Sequence, residues 1–533
     1  MKKLNVTQLC IARRFALSVR CCLLREGVSP RCSRRISRIS AAMAELSTAL
    51  RQLDAPATAP AAAATTSEGG QAQPRGRGRG SWQGQQGGQG SFVPAADGTR
   101  VRFIGERVVR QPDGSCTFDF QSCIELRLRR ASSASSSSGR SGGEADDAAP
   151  CAVLLDLAGG KSHFNLTVGE EQRVESAVRT TGGRQVYTLP LLPETSRGQS
   201  ELGVLVVKRT ESKATQLVWP PASTSPAQLF GVAASPGWEL CALPQPDPTA
   251  RRIEFLGDSD TAAFGNEAPA STMSLRGMLA MRIRCQNISN SWCHILARML
   301  GAEASVVAWS GVGCHTNAVM CGEPVLQDYF LRAVARDDSE AARHTDFGAE
   351  AAWRPQLVVI VVGGNDLYGG KTPPSEEEFV ERYVQLLRTV REKRPAPTVL
   401  LSVVYSLDTP GYNSSASAGR CEGETATQHL SRYVSSAVAR YVEQSGDGLA
   451  PVHSYLETAG CAPLVWPGDG GNLEHWGPSG HAKFAEGVCG IIEGMDALQS
   501  ADGALWRRVR PSAELTRWVE QPPCPGAVAQ AHI

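Results

Sequence analysis

From Ile253 onward the chain changes period, and that change restricts the fold more than any other feature. Short apolar runs at 253–256, 304–309, 357–362, 399–404 and 449–453 read as strands. Longer segments with apolar residues at helical spacing lie between them. Trp292, Ile295, Leu296, Met299 and Leu300 share one face, and Phe379, Val380, Tyr383, Leu386 and Leu387 share another. Leu430, Val434, Val438 and Val442 stand four apart in a helix expected over 425–443. Ser375 is a good N-cap for a helix over 376–393, and Pro478 opens one over 478–495. A further helix is expected over 325–334 and a surface helix around 504–509. Alternating strands and helices imply a parallel sheet covered on both faces, an α/β/α arrangement. In such a sheet ligands bind outside the carboxyl ends of the strands.

Upstream the signal is different. Between 99 and 207 short runs such as Val101-Arg-Phe-Ile, Ile124-Glu-Leu-Arg-Leu and Phe164-Asn-Leu-Thr-Val alternate apolar and polar residues. Seven or eight such strands without a helix indicate an antiparallel β-sandwich or jelly roll. Residues 132–147, rich in Ser, Gly and acids, read as a loop insertion, and the Pro-rich stretch 220–248 reads as the crossing to the next domain. Residues 55–91, rich in Ala, Pro, Gly and Gln, cannot bury a core and read as a disordered linker. Their Arg75-Gly-Arg-Gly-Arg is too short and isolated to indicate RNA binding. The first 43 residues carry many Arg, Ser and Cys and one acid, Glu26, which looks more like an organellar transit peptide than a secretory signal. The chain of 533 residues therefore divides into a targeting-like and low-complexity region (1–98), a β domain (99–245), an α/β domain (250–498) and a tail (499–533).

Composition excludes some classes. The net charge of +1 gives no field for nucleic acid or membrane. No run of eighteen apolar residues predicts a transmembrane helix. The 16 cysteines show no CxxC pair or zinc spacing. Cys116/Cys123 and Cys314/Cys321 are candidate pairs, with free buried thiols the preferred reading. Asn5, Asn165, Asn287 and Asn413 open glycosylation-type triplets, which matter only in a secreted chain.

Four short motifs fall at the expected strand ends. Gly257-Asp258-Ser259 follows the first strand and presents a serine on a tight turn. Trp309-Ser310-Gly311-Val312-Gly313 follows the second, where glycine lets a backbone N–H face a ligand. Gly363-Gly364-Asn365-Asp366 follows the third, where an Asn amide can point a donor over the sheet edge. His475 precedes the last helix in Asn472-Leu-Glu-His-Trp-Gly-Pro. Each alone is ordinary turn chemistry. In this order and at these positions they resemble the four blocks of the SGNH (GDSL-type) hydrolases. Within that superfamily the chain resembles carbohydrate esterase family 2. The likeness includes Phe264-Gly265-Asn266 after the serine, the Ser-Gly-x-Gly second block, GGND as the third, and a preceding β domain. It extends over about 99–495.

The resemblance implies Ser259 as nucleophile and His475 as general base. It also implies an oxyanion hole from the Ser259 N–H, the Gly311 N–H and the Asn365 side chain. The residue types suit acyl transfer, because serine needs a base and the tetrahedral oxyanion needs fixed donors. Asp258 and Asp366 are expected to brace their turns, and His481 to be structural. Two positions depart from the superfamily's pattern. Asn472 stands where an Asp three residues before the His is usual, so His475 works either in a dyad held by backbone carbonyls or with Asp469 as a third acid. Asp260 directly after the nucleophile is also unusual. Phe264, Trp309, Tyr368 and Trp476 lie beside the blocks and read either as sugar-stacking residues or as core aromatics.

The expected activity is a serine esterase removing O-acetyl groups from carbohydrate of the xylan or glucan type. The alternatives are a broad-specificity esterase, lipase or thioesterase of the same superfamily, and a catalytically weak glycan-binding protein. The expected ligand is an acetylated carbohydrate or another small ester. No metal, organic cofactor, nucleic acid, membrane or obligate protein partner is implied. The compartment is open between an organelle and secretion.

Overall fold

The computed structural model describes residues 92–105, 107–131, 151–159, 162–169, 172–211, 226–268, 285–318, 324–335, 353–368, 372–409, 412, 417–454, 462–466, 468–471, 475–498 and 506–510. All of them belong to one compact unit, Gln85–Ile533. The transit-like segment, the linker, the loop expected at 132–147 and Asn472 lie outside the described residues.

The first part is antiparallel. Its strands are β1 (Val93–Pro94), β2 (Arg102–Ile104), β3 (Val109–Arg110), β4 (Cys116–Phe118), β5 (Cys123–Arg130), β6 (Ala152–Gly159), β7 (His163–Val168), β8 (Arg173–Arg179), β9 (Gly182–Pro190), β10 (Glu201–Lys208), β11 (Ala227–Ala234) and β12 (Trp238–Leu240), with one short helix, α1 (Pro193–Ser196). One sheet runs β3-β4-β11-β6-β9 with β1 on β11, and the other β12-β5-β10-β7-β8 with β2 on β5. Alternate residues of both sheets point into a shared core, among them Phe118, Leu155, Leu157 and Leu229 from one and Ile124, Leu126, Phe164 and Val206 from the other. Phe118 meets Phe103 and Phe164 of the facing sheet edge to face. This is the expected sandwich, with one correction. Part of the stretch read as a crossover holds β11, which lies in the middle of its sheet between β4 and β6. Its apolar run, Leu229 to Ala234, is bracketed by Pro226 and Pro236, and those prolines masked a buried central strand.

The second part is a parallel sheet of β13 (Arg251–Gly257), β14 (Ala302–Ala308), β15 (Leu357–Val361), β16 (Val399–Val404) and β17 (Val452–Ser454) in the order β14-β13-β15-β16-β17. The described helices are α2 (Trp292–Leu300), α3 (Leu326–Phe330), α4 (Gly364–Tyr368), α5 (Glu376–Lys393), α6 (Ala426–Ser445) and α7 (Pro478–Glu493). Every residue of β15 and β16 is buried, as expected of strands covered on both faces. Capping boxes of Ser375 with Glu378 and of Thr425 with Gln428 set the starts of α5 and α6. The connections leave β13 and β15 in opposite directions along the sheet. Right-handed crossovers then place their helices on opposite faces, and a crevice opens between the carboxyl ends of β13 and β15.

The two parts share contacts that hold the sheet in place. Arg107, from the loop after β2, and Arg394, after α5, both bind Glu254 in mid-β13 at 2.7 and 2.8 Å, and all three side chains are buried. Arg107 also donates to Phe330 O and Arg332 O. Those contacts explain a second correction: the helix expected over 325–334 is only Leu326–Phe330, because a guanidinium takes carbonyls that a longer helix would use. The described part of the expected helix at 504–509 is not helical either. Trp506 is buried there and the Val509 N–H bonds Met299 O. Cys116, Cys123 and Cys314 are buried thiols rather than bridged. Asn165 is fully buried and donates to Asn287 and Ser289, and Asn287 is buried too, so neither is open to a glycosylating enzyme in the folded chain.

Candidate active site

The strand ends bring three of the four motifs together, and the loop before α7 brings the fourth. β13 ends at Gly257, where a Cβ would stand 2.7 Å from Val361 O and closer still to Thr261, so the turn requires glycine. Ser259 follows, largely buried. His475 Nε2 stands 2.7 Å from the Ser259 hydroxyl oxygen, within hydrogen-bond reach. The Phe264 ring lies 4.9 Å from the His475 ring, and it closes one side of the pair.

After β14 the chain turns through Gly311, whose φ of +83° favours glycine. Asn317 Oδ1 accepts from the Gly313 N–H at 2.9 Å. The Asp366 carboxylate accepts from the N–H groups of Cys314, His315 and Thr316 at 2.7–3.0 Å. Asp366 is thus a brace, which fixes the second motif to the third. Asn365 Nδ2 donates to Val312 O at 2.9 Å and to Asp258 Oδ2 at 3.4 Å. Its amide therefore lies against the Gly311-Val312 turn and beside the serine's own turn.

Two buried carboxyls flank the nucleophile. Asp258 accepts from the Tyr405 hydroxyl at 2.6 Å and from the Asp260 N–H at 3.2 Å. Asp260 Oδ1 accepts from the Trp476 N–H at 3.3 Å, directly after the base. Burial, then the neighbouring Asp260 charge, pushes the Asp258 carboxyl up. Burial pushes Asp260 up as well, against the Trp476 hydrogen bond.

Several expectations are corrected. Asp469 is committed elsewhere: Oδ2 accepts from Val465 N and Lys483 Nζ, both at 2.6 Å, and Oδ1 from the Ser479 hydroxyl at 2.7 Å. Burial raises its carboxyl, but those donors hold it below its ordinary value. It braces the start of α7, and none of its described hydrogen bonds reaches His475. Trp309 is buried and stacks on Tyr329, and Trp476 is buried against Phe484 and Tyr405. Both sit in the core, because rings buried this deeply leave almost no surface for a sugar. Phe264 is also buried. Tyr368 is the half-exposed member of the four, its hydroxyl 3.1 Å from His429 Nδ1. His481 is structural as expected: its Nδ1 accepts the Trp292 N–H at the start of α2, and burial pushes it down to about 3, which keeps it neutral.

One residue at this site had no sequence signal. Glu211, three positions past β10 in the sandwich, reaches Ser310 in the second motif. A carboxylate just after a strand reads as a solvated loop residue.

The order 2-1-3-4-5 of the parallel sheet and the placement of Ser259, Gly311, Asn365 and His475 at its edge define the SGNH (GDSL-type) hydrolase fold. Residues 255–483 match the model of the GDSL-like Lipase/Acylhydrolase family. More particularly, the chain resembles carbohydrate esterase family 2. A family two carbohydrate esterase from Clostridium thermocellum, solved with cellohexaose, aligns with a TM-score of 0.54 at 21% identity, over 74% of this chain and 98% of that one. The cellulase/esterase CelE of Acetivibrio thermocellus is 30% identical over 241 residues, which are 45% of this chain and 25% of that protein. An acetylxylan esterase / glucomannan deacetylase of Cellvibrio japonicus is 23% identical over 160 residues, 30% of this chain and 41% of that one. The chain thus spans between a quarter and two fifths of the length of these two relatives.

Proposed function

We propose that the protein is a serine esterase that removes O-acetyl groups from carbohydrate through an acyl-serine intermediate. The observation that carries this reading is the 2.7 Å contact between Ser259 Oγ and His475 Nε2 at the carboxyl edge of the sheet. His475, with its proton on Nδ1, takes the Ser259 proton as Oγ attacks the acetyl carbonyl carbon. The tetrahedral oxyanion receives the Ser259 N–H, the Gly311 N–H and one Asn365 N–H. The long 3.4 Å bond from Asn365 to Asp258 is the one that the oxyanion replaces. The C–O bond breaks and His475 returns the proton to the departing sugar hydroxyl. Water, deprotonated by His475, then attacks the acetyl-Ser259 carbonyl, and acetate leaves as Ser259 regains its proton.

The carbohydrate part of the reading draws on the named esterases to which the chain is similar. The burial of Phe264, Trp309 and Trp476 favours a second reading, a broad-specificity esterase of the same superfamily, because it leaves Tyr368 alone of the four expected aromatics exposed to a sugar. Acetate release from p-nitrophenyl acetate by wild type but not by Ser259→Ala tests the esterase. Acetylated xylan, glucomannan and simple acetyl sugars, compared with longer acyl esters, then separate the two readings. Equal rates on acetyl and longer esters with no polysaccharide turnover would decide for the second.

A further inference from the structure

Ser310 precedes Gly311, and its backbone and side chain are both held from the sandwich. The Ser310 N–H donates to Glu211 Oε1 at 2.6 Å and the Ser310 hydroxyl to Glu211 Oε2 at 2.5 Å. Glu211 is almost fully buried and lies just beyond β10. Its position is itself fixed. Gln286 Nε2 donates to Glu211 Oε2 at 2.9 Å and to Ala262 O at 2.7 Å, while Gln286 Oε1 accepts the Glu211 N–H at 3.3 Å. Ala262 belongs to the turn that follows Ser259, and Gln121 of the sandwich donates to the same carbonyl at 2.8 Å. The neighbouring residues are anchored as well. The buried Lys208 ammonium donates to Asp119 O and Thr210 O at 2.8 and 2.6 Å, and the Arg209 guanidinium to Gln286 O and Glu267 at 2.8 and 2.5 Å.

A buried carboxylate is costly unless its lone pairs are used, and here three donors use them, one being the N–H of the residue before the glycine. We propose that Glu211 is a positioning residue for the oxyanion hole. It is reached from the sandwich and holds the Ser310–Gly311 peptide at the angle that aims the Gly311 N–H beside Ser259. The sandwich then helps to shape the reacting centre through Glu211. Burial pushes the Glu211 carboxyl up, against the hydrogen bonds from Ser310 and Gln286 and the Lys208 charge. Its position is set by these partners and not by solvent.

The inference rests on the esterase reading, and one experiment separates the two. Full-length wild type, Ser259→Ala, Glu211→Gln and Ser310→Ala are assayed on p-nitrophenyl acetate, each with its thermal melting curve. Wild type no faster than Ser259→Ala removes the esterase reading and this inference with it. Given an active wild type, Glu211→Gln is expected to lower kcat about tenfold or more with KM within about twofold, since a misaimed donor acts on the oxyanion and not on bound ester. Gln keeps the volume but turns an N–H₂ toward a donor that the carboxylate accepted. Ser310→Ala keeps the backbone bond and loses the hydroxyl bond, and is expected to fall between the two. Wild-type kcat in a folded Glu211→Gln overturns the positioning role, as does a change confined to KM. If Glu211→Gln does not fold, Ser310→Ala decides: wild-type kcat there overturns the role, and a lowered kcat at unchanged KM supports it.

Discussion

The middle of β13 and its exit handle buried carboxylates in opposite ways. Glu254 is inside the strand, fully buried, with Arg107 and Arg394 on its two oxygens. Burial alone would raise its carboxyl, but the Arg394 and Arg107 charges hold it down at about 2. Asp258 and Asp260, at the exit of the same strand, are also buried, yet their described bonds come from neutral donors, the Tyr405 hydroxyl, the Asn365 amide and backbone N–H groups. Both are pushed up. Inside the strand, the Glu254 charge is met by two guanidiniums, one from the sandwich side and one from after α5, at a buried joint between the sandwich and the parallel sheet. At the exit, carboxyls whose described hydrogen bonds come from no Lys or Arg flank Ser259, the proposed nucleophile, and perturbed acids concentrate in working sites.

The comparison breaks most visibly at Glu254. Glu254→Ala leaves two guanidiniums buried without their shared partner, and a cost of about 3–5 kcal/mol is expected in urea unfolding of the full chain. A loss below about 1 kcal/mol would mean that water or relaxation already screens the pair, and the contrast with the strand exit would vanish. The exit should show the reverse profile, a large effect on rate and a small one on stability. Asn365→Ala is expected to lower kcat by about 10²–10³ with KM nearly constant. An effect on KM alone would assign the amide to substrate binding.

Acid and alkali should act on different ends of the comparison. Glu254 has a folded value below its unfolded one, so its contribution is present above about pH 4.5 and is lost as pH falls toward about 2. Asp258 and Asp260 are raised when folded, so their contribution is present below about pH 4 and is lost as pH rises through their folded values. Asp260→Asn keeps an oxygen for the Trp476 N–H and removes the charge. It is expected to raise stability at pH 8 by on the order of 1 kcal/mol and to change little at pH 4. Destabilisation at pH 8 would show that the Asp260 charge is itself stabilised, and would make the two ends alike.

The parallel sheet was legible because its strands are short, wholly apolar and separated by helical periods, and because the motifs fall where the strands stop. The helix over 376–393 was legible from its cap, Ser375, and the helix over 425–443 from apolar residues four apart; the structure caps the first with Ser375 and the second with Thr425. What was not legible depends on contacts distant in sequence. Arg107 shortens α3 from 223 positions away. β11 is a central strand because two others flank it, which prolines at its edges cannot announce. Glu211 meets Ser310 across 99 positions. The aromatics beside the motifs looked alike in sequence, and only packing separates the buried Trp309 and Trp476 from the half-exposed Tyr368.

The smallest expected effect concerns the acid of the base. A carboxylate on Nδ1 fixes the imidazole tautomer and stabilises its charged form. Asn472 occupies the usual acid position, and an amide oxygen there can orient a ring but carries no charge. Asp469 is the nearby carboxylate in sequence, but its oxygens are taken by Val465 N, Ser479 and Lys483. Turning it toward His475 would break an ion pair and two hydrogen bonds that fix the start of α7. Asp469→Asn is therefore expected to cost about 1–2 kcal/mol of stability and to leave kcat within about threefold. Asn472→Asp, which installs the missing charge, is expected to raise kcat severalfold, and Asn472→Ala to cost little. All three are compared on one acetyl ester with melting curves alongside. A collapse of kcat in a fully folded Asp469→Asn would return that carboxylate to the base and replace the dyad with a triad.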